Sequence, residues 1–431
     1  MSDVVTGLVC AVCGTAVPIS QALSWKCPLA TDVDTHHVLH FENSVEPFRP
    51  TDDSNPYLAF RKYLAVDSFG AAIGLSEAER IRIIQETNEA VASIAGTGFL
   101  RTPLYRSSEL SDALGFTAEG GVWIKDETHN VAGSHKARHL FTELLHLLFA
   151  EAAGVAPWTS STRPPLAIAS CGNAAIAAST LAAAVQWPIY VHVPPAATSE
   201  VLVALASLDA DVRVCPRLPD DAAGDPCVLR FREAVANGAI AFGVQGTENA
   251  WCLDGGRTIG WEMTEDLGHL MDRIFIQVGG GAFAACVGAS LRSAGVHPKL
   301  HAVQTEGCAP LARAWEKALA TGGARNAGPR WNECMWPWET TPVSIADGIL
   351  DDETYDWIGV LDAMADTGGA PVVVSEQHVQ QAYDWVHSLT SVNVSATGVA
   401  GLAGLMAMRS DIANDERVVV VMSGVERVEV S

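Results

Sequence analysis

The chain predicts an α/β protein: two parallel-sheet domains with helices on both faces, preceded by a small N-terminal segment that carries cysteines. Short β-branched runs, apolar on both faces, alternate with alanine-rich helical stretches, which is the pattern of parallel strands covered by helices. Several of these runs end in turns built from glycine, serine or asparagine, and in such sheets ligands sit at the carboxyl ends of the strands. At 431 residues, 48 % hydrophobic and 18 % charged, the chain is long enough for two or three domains with sizeable cores. It contains no internal repeat and no low-complexity tract.

The 27 basic and 50 acidic side chains leave a net charge of −23. A surface this acidic repels phosphate backbones and anionic lipid, so neither nucleic acid nor a membrane is an expected partner. The start, Met1 to Val5, has no basic stretch ahead of an apolar run, and a cytoplasmic protein is expected. Of the 10 cysteines, those outside the N-terminal group are scattered singly among apolar residues, which suits buried thiols in a reducing compartment rather than a disulfide framework. Leu166 to Trp187 is apolar enough to imitate a membrane helix. Gly172-Asn173 interrupts it, and it reads as a core strand, a turn and a buried helix.

In chain order, residues 1–50 hold a Cys10-x-x-Cys13-Gly14 knuckle followed by Cys27, half of a zinc ribbon. No fourth cysteine is near, which leaves His36, His37 or His40 to supply the last ligand. A zinc held by Cys10, Cys13 and Cys27 therefore stands against a degenerate, metal-free knuckle. Thr51 to Tyr63, rich in Asp, Ser and Pro, reads as a linker or extended arm. Glu77 to Ala95 reads as a helix that Gly96-Thr97-Gly98 ends.

Gly121 to Ile124 is an apolar strand that runs into Lys125-Asp126-Glu127. The helix after it carries Leu140, Leu144 and Leu147 on one stripe, so that Arg138, His139 and Glu143 are expected to face out. Gly133 and Ser134 supply a turn and an N-cap, placing Lys136 in the first helical turn. There the helix dipole and partial burial both disfavour the ammonium and lower its pKa. Such a lysine can form a Schiff base; its alternative is a solvated residue on a helix face. Further strands are expected at Leu166 to Ala169, Ile189 to Val193, Val212 to Cys215 and Ile240 to Val244. Later ones are Ile274 to Val278, Leu300 to Gln304, Val372 to Val374 and Val418 to Val421.

Three strand ends carry chemistry. Ser170-Cys171-Gly172-Asn173 opens an alanine-rich helix, whose free amides with Ser170 and Asn173 suit a carboxylate. Gly279-Gly280-Gly281-Ala282 opens another, where consecutive glycines let backbone N–H groups approach a phosphate. Ser423-Gly424 places a hydroxyl at the end of the last buried strand.

In the order lysine motif, Ser-x-Gly-Asn loop, glycine loop and terminal Ser-Gly, the chain from Thr102 onward resembles the fold-type II pyridoxal-phosphate enzymes. That group contains threonine synthase, serine and threonine dehydratases, cysteine synthase and the tryptophan synthase β subunit. The resemblance implies a tryptophan synthase β-like fold with pyridoxal 5'-phosphate in the interdomain cleft. Residues 51–149 and 246–431 would form the large cofactor-binding domain and 150–245 a small inserted α/β domain.

It also implies roles. Lys136 would be the Schiff-base lysine and the proton shuttle at the substrate α-carbon, and Asn173 would bond the ring oxygen. Ser170, Gly172 and their loop would hold the substrate carboxylate. Gly279, Gly280, Gly281 and Ala282 would cradle the phosphate, and Ser423 would contact the pyridine nitrogen. Glu306 resembles a family glutamate beside the active site, with a solvated strand end as its alternative. A homodimer is expected, since dimers are usual in the group.

Subfamily signals are mixed. His135 stands where dehydratases have phenylalanine and resembles tryptophan synthase β. The cysteine-containing start resembles threonine synthase, and Ser344 to Ile349 the Ala-Asp-Gly segment of dehydratases. Val425-Glu426 follow Ser423-Gly424, where glycine and asparagine are common. Trp331, Trp336 and Trp338 are expected to pack under a long loop, and His129 and His139 to lie at the surface or behind the site.

A neutral hydroxyl at the pyridine nitrogen stabilises a pyridinium less than a carboxylate would, so the ring is the weaker electron sink and loss of a β-substituent is favoured over transamination or racemisation. The expected activity is therefore that of a lyase: α,β-elimination with deamination of serine, threonine or a derivative. β- or γ-replacement of the cysteine synthase or threonine synthase type is the alternative, and a non-catalytic amino-acid sensor is the reading outside enzymes. No dinucleotide fingerprint supports a dehydrogenase.

Overall fold

A computed structural model describes residues 5–31, 34–43, 47–222 and 224–427. Its first strands are β1 (Val5–Cys10), β2 (Ala16–Pro18) and β3 (Leu39–Asn43), then β4 (Leu104–Ser107) and β5 (Gly121–Asp126). Next come β6 (Leu166–Ala169), β7 (Ile189–Val193), β8 (Asp211–Val214) and β9 (Ile240–Ala241). The chain closes with β10 (Arg273–Gln277), β11 (Lys299–Thr305), β12 (Val372–Val374) and β13 (Arg417–Met422).

They form three sheets. An antiparallel sheet has the order β2-β1-β3. A six-stranded sheet, β12-β11-β10-β13-β5-β4, is parallel except for β4, which runs antiparallel to β5 at the edge. A four-stranded sheet, β8-β7-β6-β9, is parallel throughout. The α/β class is as expected, and the antiparallel edge strand is an addition to it. No helix among the described residues is long and apolar enough to cross a membrane.

Local signals place several elements. The Glu77–Ala95 helix has a capping box, in which the Ser76 side chain accepts from the Glu79 amide and the Glu79 side chain from the Ser76 amide. Gly96, at φ 75°, ends it in the left-handed region that a glycine adopts without Cβ strain. The segment expected as a linker or extended arm is a packed arm, and short helices interrupt its extended course. Asn55 caps a short Pro56–Ala59 helix, and Tyr57 and Phe60 are fully buried. The strand expected from Ile240 to Val244 pairs only over Ile240–Ala241, and the remainder continues as loop.

The Lys136–Ala152 helix differs most from expectation. Arg138, His139 and Glu143 are all buried. The leucine stripe reports one apolar face, but this helix packs against several neighbours, among them Asn173–Ala184 and Cys252–Gly255. Its polar side chains are accommodated inside. His139 Nδ1 lies 2.8 Å from the Cys252 carbonyl, and burial pushes Glu143 well above the ordinary carboxylate range, so that it is uncharged.

Arg138 is held by two carboxylates. It donates to Glu127 Oε2 at 2.9 Å and to Glu262 Oε1 at 2.6 Å, while Lys125 Nζ reaches Glu262 Oε2 at 2.5 Å. Two cations and two anions thus balance where water is excluded, with Thr102 adding a hydroxyl bond to Glu127 and a carbonyl bond to Lys125. Removing one partner strands the others, at a cost of about 3–5 kcal/mol for a broken buried pair. Arg138→Met is therefore expected to lower the urea unfolding midpoint strongly, whereas Arg82→Met, which breaks an exposed pair with Glu86, leaves it within error.

Candidate active site

The carboxyl ends of β5, β6, β10 and β13 face one cavity of about 710 Å³. The loop after β5 brings Lys136 to it, the loop after β6 brings Ser170, Gly172 and Asn173, the loop after β10 brings Gly279 to Ala282, and the residue after β13 is Ser423. Residues distant in the chain thus share one wall.

Lys136 is the first residue of its helix. The expected cap is displaced: His135 occupies the N-cap position without a side-chain bond, and Ser134 Oγ accepts from the Lys136 amide at 3.4 Å. Just before it the chain turns through two left-handed residues, Ala132 at φ 57° and Gly133 at φ 73°. A Cβ on Gly133 would collide with Val425, whose amide donates to the Gly133 carbonyl at 2.9 Å. The lysine turn is thereby tied to the chain that follows Ser423. Burial lowers the Lys136 pKa, and the charges of Asp351, Cys252 and Asp356 oppose it without prevailing.

Ser423 is held by the lysine loop itself. Its hydroxyl oxygen accepts the His135 backbone N–H at 3.0 Å and lies 2.6 Å from His135 Nδ1. The His135 ring stacks on Phe283, with centroids 4.1 Å apart. Burial, reinforced by Lys136, holds this imidazole well below its ordinary pKa, so it is neutral. The Ser423 contact is therefore one between uncharged groups.

The glycine loop is a cradle that tolerates no side chains. Gly281, at φ 95°, caps the Ala282–Ser293 helix, and a Cβ there would meet Thr354 and the Asp356 backbone. A Cβ on Gly279 would meet the Asp351 carboxylate and the Ile349 backbone. Gln277 lines the cavity with both side-chain polar atoms buried and without a hydrogen-bond partner. A glycine cradle at a helix N-terminus, a lysine with a depressed pKa and an unsatisfied amide fit a phosphorylated aldehyde cofactor.

Asp351 and Arg427, which line the cavity, and Asp356, which does not, were not singled out from the sequence. Burial lifts Asp351 to about 6 and Asp356 to about 7. Asp356 Oδ2 accepts from the Gly246 amide at 3.1 Å. Arg427 donates to Asn173 Oδ1 and, at 3.0 Å, to the Ala132 carbonyl, bridging the lysine and asparagine loops. Asp351 closely follows the Ala346-Asp347-Gly348 segment, which was the available signal; nothing local marks Arg427.

Glu306 is not among the cavity residues. It is exposed at the end of β11 and accepts from the Glu376 amide at 3.4 Å, as its solvated alternative had it. Trp336 packs under Arg313, 4.0 Å from its guanidinium, and Trp331 stacks on His36. The His129 side chain is exposed, and His139 is buried one turn behind Lys136.

Residues 96–424 match the profile of the family described as "Pyridoxal-phosphate dependent enzyme". The chain belongs to this family. It is 25 % identical over 334 residues to a threonine synthase of Methanosarcina acetivorans, covering 75 % of this chain and 74 % of that one. It is 22 % identical over 332 residues to the threonine synthase of Methanocaldococcus jannaschii, with the same coverage. Among solved structures, maize serine racemase superposes with a TM-score of 0.61 at 18 % identity, covering 80 % of this chain and 94 % of that one. Processed threonine deaminase isoform 2 of Solanum lycopersicum gives 0.61 at 18 % identity, with 89 % and 95 % covered. These structures share the fold, and the cofactor of the family is pyridoxal phosphate.

Asp351 gives a test of the cradle. Its pKa lies above the ordinary carboxylate value, so it is largely neutral below about 6 and charged above it. A charged Asp351 repels a phosphate dianion. Asp351→Asn is expected to bind pyridoxal phosphate several-fold more tightly than the parent at pH 8 and about equally at pH 5, as measured by fluorescence titration at both values.

Proposed function

We propose that this enzyme is a pyridoxal-phosphate-dependent lyase. It would eliminate the β-substituent from serine, threonine or a derivative and release a keto acid and ammonia. The observation that carries this reading is the Ser423 hydroxyl, held by a neutral His135 rather than replaced by a carboxylate. An uncharged partner does not stabilise charge on a pyridine nitrogen as an aspartate would, which favours departure of a leaving group over a long-lived charge at the α-carbon.

Bound pyridoxal phosphate supplies the electron sink for bonds at the substrate α-carbon. Lys136 would hold its aldehyde and, once the substrate amine has taken its place, its freed amine, uncharged more readily than an exposed lysine's, would take the α-proton. Gly279 to Ala282 hold the phosphate through backbone amides. Ser170 and Gly172 receive the substrate carboxylate at the start of the Asn173–Ala184 helix, and Asn173, oriented by Arg427, meets the ring oxygen.

β- or γ-replacement is the second reading, favoured by the similarity to two threonine synthases. The two are separated by products. Incubating the holoenzyme with L-serine, L-threonine, O-acetylserine and O-phosphohomoserine is expected to yield keto acid and ammonia in equal amounts from at least one of the first three. Threonine and phosphate from O-phosphohomoserine, with no keto acid from any substrate, would assign replacement instead. Ser423→Asp is expected to slow elimination by about tenfold or more and to raise solvent exchange of the α-proton relative to it, read by NMR in deuterium oxide.

A further inference from the structure

We propose that Cys10, Cys13, Cys27 and His37 form a tetrahedral zinc site that fastens the N-terminal sheet to the wall of the active-site cavity. This does not rest on the reaction assigned above. The four ligand atoms all lie within 4.8 Å of one another. Cys13 Sγ is 3.6 Å from Cys27 Sγ, and Cys10 Sγ is 3.4 Å from His37 Nδ1. With Zn–S near 2.3 Å and Zn–N near 2.0–2.1 Å, the edges of a coordination tetrahedron are about 3.5–3.8 Å. The spacing is that of ligands around an ion.

The fold delivers the ligands to one end of the small sheet. Cys10 closes β1, and the chain turns at once, the Gly14 amide donating to the Cys10 carbonyl at 2.9 Å with φ 71° at Gly14. Cys13 lies in that turn. Cys27 returns after β2, and His37 precedes β3, which pairs with β1 from Leu39 opposite Cys10. The fourth ligand missing from the cysteine spacing is thus supplied by a histidine.

Of the three histidines only His37 lies with the cysteines, and what surrounds its ring differs from what surrounds His36. His36 stacks on Trp331 at 4.4 Å between centroids. His37 instead places Nε2 3.0 Å from Asp34 Oδ2. A carboxylate on the far nitrogen holds the proton there and leaves Nδ1 free to bind metal, the arrangement seen behind zinc-bound histidines. Binding also releases the thiol protons, since thiolate is the ligand form.

The loop between Cys13 and Cys27 reaches toward the cavity. The Trp25 carbonyl accepts from the Ala250 amide at 2.9 Å, the Ser24 carbonyl accepts from Trp251 Nε1 at 3.1 Å, and the Leu23 amide donates to His146 Nε2 at 3.2 Å. Lys26 pairs with Glu248, which lines the cavity. An ion that fixes Cys27 therefore fixes the segment bracing residues 248–251. Without it the same loop keeps these bonds but loses the tie at Cys13 and Cys27.

The test uses the full-length holoenzyme purified under reducing conditions. Elemental analysis is expected to find one zinc per chain that survives dialysis against EDTA. Replacement by cobalt(II) is expected to give the thiolate charge-transfer and visible bands of a tetrahedral site. His37→Ala is expected to lower zinc affinity by at least tenfold, and Asp34→Asn by about tenfold. His36→Ala retains one zinc per chain. If Cys13→Ala does not fold, His37→Cys keeps four ligands and is expected to retain the zinc with a shifted cobalt spectrum. Stripping the zinc is expected to expose Lys26 to trypsin. No metal in the purified protein together with no cobalt spectrum from the reduced protein would overturn the site, as would a His37→Ala variant with unchanged stoichiometry and spectrum. Equal cleavage at Lys26 with and without zinc would overturn the fastening.

Discussion

The buried quartet of Lys125, Glu127, Arg138 and Glu262 is the constraint on which the site depends. Lys125 sits at the end of β5, Glu127 just past it, Arg138 two residues after Lys136, and Glu262 on the Arg257–Asp266 helix. Their mutual neutralisation ties the Lys136 helix to β5 and to the Arg257–Asp266 helix. Breaking a buried pair costs several kcal/mol, because the partner is left charged without water. The lysine's position is therefore enforced from behind, by residues that never touch a ligand.

In front of that frame, loops from four strand ends hold one another. His135 grips Ser423, Val425 closes on Gly133, Arg427 spans the Ala132 and Asn173 loops, and Asp356 joins the glycine loop to Gly246. The Asp356 amide also donates to the Gly280 carbonyl at 2.8 Å. Each loop is fixed by contact with a neighbour, which is how a cavity between two sheets keeps a defined shape. Burial lifts the carboxyl of Asp351 and lowers the amine of Lys136, both in the cavity lining, and also lifts Asp356 next to the glycine loop.

How much of this could be read from the chain follows physical range. The Glu77–Ala95 helix was legible because its capping box and terminal glycine are local. The parallel strands were legible because each is a β-branched run ending in a turn. The Lys136 helix was misjudged on its polar faces, since periodicity shows which side is apolar but not that charges on the other sides are paired inside the fold. For Glu306 both a place beside the site and a solvated strand end stayed open, because a strand end alone does not say which way its side chain leaves the sheet. Arg427 and the choice of His37 over its neighbours depend on contacts between segments far apart in sequence, and no local pattern reports them.

The central claim is that this cavity holds pyridoxal phosphate through Lys136. The most direct measurement is borohydride reduction of the holoenzyme, followed by proteolysis and mass mapping of its six lysines. The account predicts the reduced cofactor's mass on the Lys136 peptide and on no other, with none retained by a folded Lys136→Ala variant. Label on Lys125 or another lysine, or a holoenzyme that takes up no label, would contradict it.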